Sequence, residues 1–232
     1  MPRLYAVAFL PLLITAPASA NLFFSDEFNG DTLDLTKWGQ IHNQGTIEVS
    51  SGYLRTYGGG DHHHINSIPS FSLLPGLSVS ARFRVSSPEN IFGPDDYHQF
   101  GLLENYHLTL PSPVHTYYFS SYDDRDGENL NTMHWIHSLD GVELERGIVP
   151  ASWSEFHVFT LSRDQSGMTY LIDGVAVGSA PVPAGVDLPL FIGGDRSGVF
   201  EVDWVRVNQV PEPGTFMLVS LALTALGFAR RR

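Results

Sequence analysis

Between Asn21 and Asn208 the chain shows no convincing 3.6-residue apolar period, and short runs of two-residue alternation recur in its place. The clearest is Leu77 to Val85, where Leu77, Val79, Ala81, Phe83 and Val85 face one way and Ser78, Ser80, Arg82 and Arg84 the other. A chain patterned like this has a core face and a wet face along each strand, so it must stack sheets rather than bundle helices. Asp140-Gly141 and Asp173-Gly174 sit between alternating flanks and predict tight hairpins. Phe156 to Leu161 is apolar on both parities and predicts a strand covered on both sides. A dozen or more strands in one domain of about 190 residues predict an all-β fold of two packed antiparallel sheets.

Composition narrows the function classes. The chain is 43% hydrophobic and 12% aromatic, enough for a core and far from a disordered composition. It has no cysteine, which excludes disulfides and thiolate metal sites. Between Asn21 and Val210 there are nine Lys and Arg against 24 Asp and Glu, a net charge near −15. Such a surface repels phosphate backbones and excludes nucleic acid as a general partner.

The two ends read as addresses. Residues 1–20 have Arg3 as a basic start, an apolar run from Leu4 to Ile14, and Ala18-Ser19-Ala20, the pattern of a secretory signal cut by signal peptidase before Asn21. Residues 210–232 begin with Val210 and Pro211-Glu212-Pro213, continue through an apolar run from Phe216 to Ala229, and end in Arg230, Arg231 and Arg232. That run of about 14 residues spans roughly 21 Å, a short transmembrane helix and a weak, transient anchor. The arginines would hold its end at the cytoplasmic face. The order of these parts resembles the PEP-CTERM sorting signal of Gram-negative bacteria. The resemblance implies processing by an exosortase, passage through the inner membrane, and delivery to the cell surface or extracellular matrix.

The domain between them, residues 21–208, carries a second resemblance. Phe24-Ser-Asp-Glu-Phe-Asn-Gly30, Leu33-Asp34 and Lys37-Trp38 look like the opening of glycoside hydrolase family 16. Ser154-Glu-Phe-His-Val-Phe159, Thr169-Tyr-Leu-Ile-Asp-Gly174 and Val202-Asp-Trp-Val-Arg-Val207 resemble its closing half, in the right order. The resemblance extends to the wider concanavalin A-like lectin and glucanase jelly roll, and implies that fold.

Family 16 enzymes carry Glu-x-Asp-x-x-Glu on one strand, as nucleophile, helper and acid/base. Retaining hydrolysis needs two carboxyl groups about 5–5.5 Å apart. The only stretch here in the expected place is Gln99-Phe-Gly101-Leu-Leu-Glu104, inside the polar-threaded strand Tyr97 to Tyr106. It keeps the spacing and Glu104, but an amide stands at the nucleophile position and a glycine at the helper position. An amide cannot form a glycosyl ester, so the standard dyad is absent, and Glu104 is the single catalytic candidate. Sugar binding asks for less: aromatic faces for pyranose rings and amides or carboxylates for hydroxyls. Tyr97, Gln99, Glu104, Tyr117, His134 and Trp135 are the candidates for one such face, with core packing as the alternative for Trp135. Trp38, Trp153 and Trp204 are expected in the scaffold.

Metal signals are sparse. Of His62-His63-His64, at most His62 and His64 could share an ion, because successive strand residues face opposite ways. A solvated loop is the plainer expectation. Asp123-Asp-Arg-Asp-Gly-Glu128 offers oxygen ligands but reads better as a solvated acidic loop. The family resemblance implies a structural calcium at Asp203, with carbonyls near Asp26 and Gly52.

These readings converge on an exported carbohydrate-binding, lectin-like module for an extracellular polysaccharide or glycan. Two alternatives stand beside it. One is an atypical glycoside hydrolase pairing Glu104 with Asp95 or Asp96, or a polysaccharide lyase using Gln40-Ile41-His42. The other is a matrix protein whose sandwich merely packs.

Overall fold

Alternation becomes strand where it was expected. β6 (Leu77–Ser86) buries every second residue from Leu77 to Val85 and leaves the residues between half-exposed. It lies within an eight-stranded sheet in the order β13 (Val175–Ala180), β12 (Met168–Ile172), β11 (His157–Arg163), β6, β15 (Val199–Gln209), β4 (Tyr53–Tyr57) and β3 (Thr46–Ser50), with β1 (Asn21–Asp26) paired to the C-terminal half of β15. A seven-stranded sheet follows the order β10 (Val142–Val149), β9 (Met133–Leu139), β8 (His115–Tyr122), β7 (Tyr97–Leu102), β14 (Asp187–Gly194), β5 (His63–Ser72) and β2 (Trp38–Asn43). Every pairing is antiparallel, and the two sheets form a jelly-roll sandwich.

This computed structural model describes residues 21–43, 45–58, 63–86, 97–103, 115–122, 133–152, 154–183, 185–194 and 198–209, with the side chains of 40–43, 97 and 122 excepted. Both expected terminal addresses lie outside them. No helix occurs among the described residues, so none there is long and apolar enough to cross a membrane.

Aromatic rings fill the layer between the sheets. Phe83 stacks on Phe159 at 3.9 Å, meets the edge of Phe200 at 4.9 Å, and reaches Phe100 of the opposite sheet at 5.6 Å. The hairpins follow their turn chemistry. Asp140 and Gly141 take φ of 51° and 77°, and Asp173 and Gly174 take 49° and 80°, the paired positive values of a mirror-type turn. Ser51-Gly52 closes β3 to β4 the same way, at 55° and 79°.

β11 departs from the expectation of two covered faces. Phe159 and Leu161 are buried, whereas Val158 and Thr160 on the other parity are only half-buried. Phe156 precedes the strand and is covered by side chains instead of a third layer: the Arg82 and Arg84 guanidinium groups lie 4.7 and 4.6 Å from its ring. On this same outer face buried Glu201 accepts hydrogen bonds from Arg55 Nε at 3.0 Å and Arg84 Nε at 2.6 Å. Much of the domain's scarce positive charge is thus used to hold one sheet face together.

The opening motif works as a local clamp. Asp26 accepts from the Phe28 N–H at 3.0 Å and from the Trp38 indole N–H at 2.8 Å. Trp38 is fully buried, stacked with Phe28 at 6.0 Å and edge-on to Phe24 at 5.3 Å. The scaffold role expected of Trp38 holds.

Candidate functional site

The outer face of the seven-stranded sheet is assembled from five strands by register alone. Phe100 and Leu102 of β7 point into the main core, so Gln99 and Gly101, on the other parity, point out. Opposite Gln99 lie Ser120 on β8 and Gly193 on β14; beyond them come His134 on β9 and His64 on β5. A second row runs Ile136, Tyr118, Gly101, Phe191 and Asn66. Leu103, Tyr118, Ile136 and Phe191 pack into a small apolar cluster separate from the main core. The face is therefore an apolar patch beside a polar row.

This face is unusual in its hydrogen bonding. Gln99, Asn66 and Ser120 are 3%, 4% and 0% exposed. Yet among the described residues Gln99 Oε1, Ser120 Oγ and both Asn66 Oδ1 and Nδ2 have no hydrogen-bond partner. Leaving one such group unsatisfied costs about 1–3 kcal/mol, so four atoms in two neighbouring rows form a reservoir of unspent bonding capacity.

Glycines shape the floor. A Cβ on Gly101 would sit 2.3 Å from the Tyr117 carbonyl oxygen and 2.5 Å from Tyr118 Cα. A Cβ on Gly193 would sit 2.2 Å from His64 Cβ. Gln99 therefore stands between two small neighbours, Ser120 and Gly193, and His64 packs closely over Gly193.

Of the expected sugar contacts, Gln99 and His134 share this face. Tyr117 and Trp135 do not. Tyr117 points between the sheets, where it is fully buried, stacks on His137 at 4.9 Å and donates its O–H to the Pro181 carbonyl at 2.9 Å. Trp135 lies on the same inner side, 5.0 Å from Tyr170, in a slot that Gly147 and Gly178 leave open: a Cβ on either would meet the indole at 2.3 and 2.2 Å. The packing alternative for Trp135 is the one realised. Glu104, Asp95, Asp96, the acidic loop 123–128, His62, Trp153 and the side chains of Tyr97, Gln40 and His42 lie outside the described residues.

Sequence reasoning missed Asn66 and Ser120, and weighed His64 only as an ion ligand or part of a solvated loop. His63 and His64 do face opposite ways, but neither is solvated: they are 0% and 4% exposed, His63 turned toward His98 at 6.1 Å and His64 packed on Phe191 at 4.8 Å. The usable signal was the spacing of His64 and Asn66, two polar residues two apart and hence on one face.

The calcium expectation does not fit its donors. Asp203 sits at an irregularity in the β15–β6 register, and its carboxylate is ion-paired with Arg82. A guanidinium already occupies the place a cation's charge would take. Among the described residues no group of three or more His, Asp or Glu is arranged to hold an ion.

A titratable cluster lies on the inner side. His137 Nε2 is 3.0 Å from His115 Nδ1, and His137 Nδ1 is 3.8 Å from Glu145. Burial, and then the neighbouring His115, push the His137 pKa below its ordinary value, against a smaller opposing pull from Glu145. The folded state thus favours neutral His137, so its contribution is complete above the unfolded value near ~6.5 and is lost as pH falls below it. Urea unfolding at pH 7.5 and at pH 5.5 is expected to show a smaller acid-side loss for His137→Gln than for the parent chain. Equal losses would remove His137 from the pH dependence.

Residues 209–232 match the PEP-CTERM protein-sorting motif. The chain carries an exosortase sorting signal. That motif marks the protein for export and surface sorting in a Gram-negative bacterium. Solved structures place the rest. A pseudo β-1,3-glucanase and immunostimulatory antigen of Mycobacterium tuberculosis is 15% identical, with a TM-score of 0.64 over 82% of this chain and 99% of that one. The catalytic domain of an endo-1,3-β-glucanase (laminarinase) from Thermotoga petrophila is 12% identical, with a TM-score of 0.62 over 84% of this chain and 100% of that one. A non-specific endo-β-1,3(4)-glucanase from glycoside hydrolase family 16 is 13% identical, with a TM-score of 0.61 over 87% and 98%. At such identities the likeness establishes the fold, a family 16-like jelly roll, and leaves activity to the site. Curated proteins searched by sequence give no match.

Proposed function

We propose that this sorted jelly roll is a lectin-like module that binds an extracellular glycan through the outer face of its seven-stranded sheet and does not hydrolyse it. The observation that carries this is the set of buried atoms on Asn66, Gln99 and Ser120 that have no partner among the described residues. Sugar hydroxyls both donate and accept, and would satisfy an amide oxygen, an amide nitrogen and a hydroxyl together. The apolar cluster around Tyr118 and Phe191 offers the adjoining dry surface that a pyranose ring face needs. The spacing that in family 16 enzymes carries a nucleophile and a helper carboxylate has Gln99 and Gly101 here, which supports a face without the dyad that retaining hydrolysis requires. A Mycobacterium tuberculosis protein described as a pseudo β-1,3-glucanase has the same fold, a precedent for its use without that activity. The export motif supports a cell-surface or matrix setting, where glycans abound.

Retention of residues 21–209 on a panel of insoluble polysaccharides, run beside an assay for released reducing sugar and unsaturated product, tests the reading. Retention without product is expected, and loss of retention in Gln99→Ala. Product that vanishes in Glu104→Gln would make the protein an atypical hydrolase, and unsaturated product would make it a lyase. No retention on any polysaccharide would leave a packing role in a matrix.

A further inference from the structure

We infer that one end of the sandwich, carrying Leu22, Phe23 and Leu74, is a docking surface for the lipid bilayer that receives the sorting tail. The inference rests on the reading of that tail as a membrane anchor. Leu22, Phe23 and Leu74 are 58%, 61% and 52% exposed. Two consecutive strand residues normally face opposite ways, but the β1–β15 register shifts between Leu22 and Phe24, and a bulge there leaves both Leu22 and Phe23 in the open. Leu74 lies at the same end of the sheet, across β15, in the turn into β6, where the Leu77 N–H bonds the Leu74 carbonyl at 3.2 Å and Leu77 is the register partner of Gln209.

The place of these three residues in the chain names their occupant. Asn21 pairs with Gln209 and Leu22 with Asn208, and Leu77 pairs with Gln209 from the other side, so the three residues flank the end of β15. The matched sorting motif starts at Gln209, and the apolar run of the sequence starts at Phe216. The intervening segment is short: even fully extended, it spans at most about 25 Å. A bilayer that takes up the run from Phe216 is therefore held within reach of three side chains that otherwise stand in water. Apolar groups brought to an interface sink into the headgroup and acyl boundary. The strongly acidic domain gains nothing from anionic lipid, so the contact is an apolar one that depends on the tether. Docked in this way, the domain would stand with this end of its strands against the membrane until the tail is processed.

Because the chain lacks cysteine, a single introduced one is a unique label site. The full chain, labelled with an environment-sensitive fluorophore at Leu74→Cys, Val175→Cys or Ser220→Cys, is reconstituted into phosphatidylcholine vesicles bearing a nitroxide quencher at the headgroup–acyl boundary. Val175, also exposed, lies at the β12–β13 turn and serves as the control. Quenching at position 74 is expected to exceed that at 175 by about threefold. It is expected to fall to the control level when Leu22→Glu and Phe23→Glu are added, with quenching at 220 unchanged. Strong quenching at 220 with 74 no different from 175 overturns the docking surface alone, as does quenching at 74 that survives the two glutamates. No quenching at 220 overturns the anchor reading itself, and the docking surface with it.

Discussion

Restoring an acidic pair to β7, by Gln99→Glu with Gly101→Asp, is expected to unfold the domain without creating a hydrolase. The obstacle is at Gly101. Any side chain there begins with a Cβ 2.3 Å from the Tyr117 carbonyl oxygen and 2.6 Å from Tyr118 Cβ, and a paired backbone cannot yield as a flexible side chain can. Gly101→Ala alone is expected to cost about 2–3 kcal/mol by overpacking. Aspartate adds a carboxylate on a buried face, and the double change is expected to exceed about 4 kcal/mol, a large part of a domain's whole stability. Gln99→Glu alone has no clash to overcome and is expected to fold, at a cost of about 1–3 kcal/mol for the desolvated charge. Urea titration of the four chains separates steric from electrostatic cost. A neutral Gly101→Ala would show that the strand can accommodate a side chain, and that the missing helper could return by one mutation.

Trp38→Ala is expected to be as severe, for reasons in the core between the sheets. Truncating a fully buried tryptophan costs about 3–5 kcal/mol. Here it also strips Phe24 and Phe28 of their ring partner and leaves Asp26 without its indole donor. Trp38→Phe keeps most of the packing and loses the N–H, so its loss relative to the parent chain measures the hydrogen bond, and the further loss in Trp38→Ala measures the ring packing. A cycle with Asp26→Asn is expected to give a coupling of about 1–2 kcal/mol. A coupling near zero would mean that the Asp26–Trp38 contact is incidental, and that the opening motif works through packing alone.

The scaffold was legible because its signals are local. The alternation in β6, the Asp-Gly turns and the order of the opening and closing motifs each sit within a few residues, and the structure follows them. The sorting tail was legible for the same reason. The site was not, because its members meet only through register. Met133-His134-Trp135-Ile136-His137 carries bulky or polar residues on both parities and is buried or half-buried on both, so the sequence does not say which side is the core. What decides it for Trp135 is the slot left by Gly147 and Gly178, on two other strands. The three histidines misled for a related reason. A polar run after Gly58-Gly-Gly60 reads as a loop, yet His63 and His64 begin a ten-residue strand whose neighbours cover both faces. Asn66, Gln99 and Ser120 come from β5, β7 and β8, which β14 and the sheet order bring side by side.

Those three residues give the account its sharpest test, in Asn66→Leu. A buried amide kept without partners is a cost to the fold and an asset only to a ligand. Thermal unfolding and glycan binding should therefore move in opposite directions in the same variant, with the midpoint raised or unchanged and affinity lowered by roughly tenfold or more. A lowered midpoint with binding intact would contradict the account, since Asn66 would then be serving the scaffold and the outer face would not be the site.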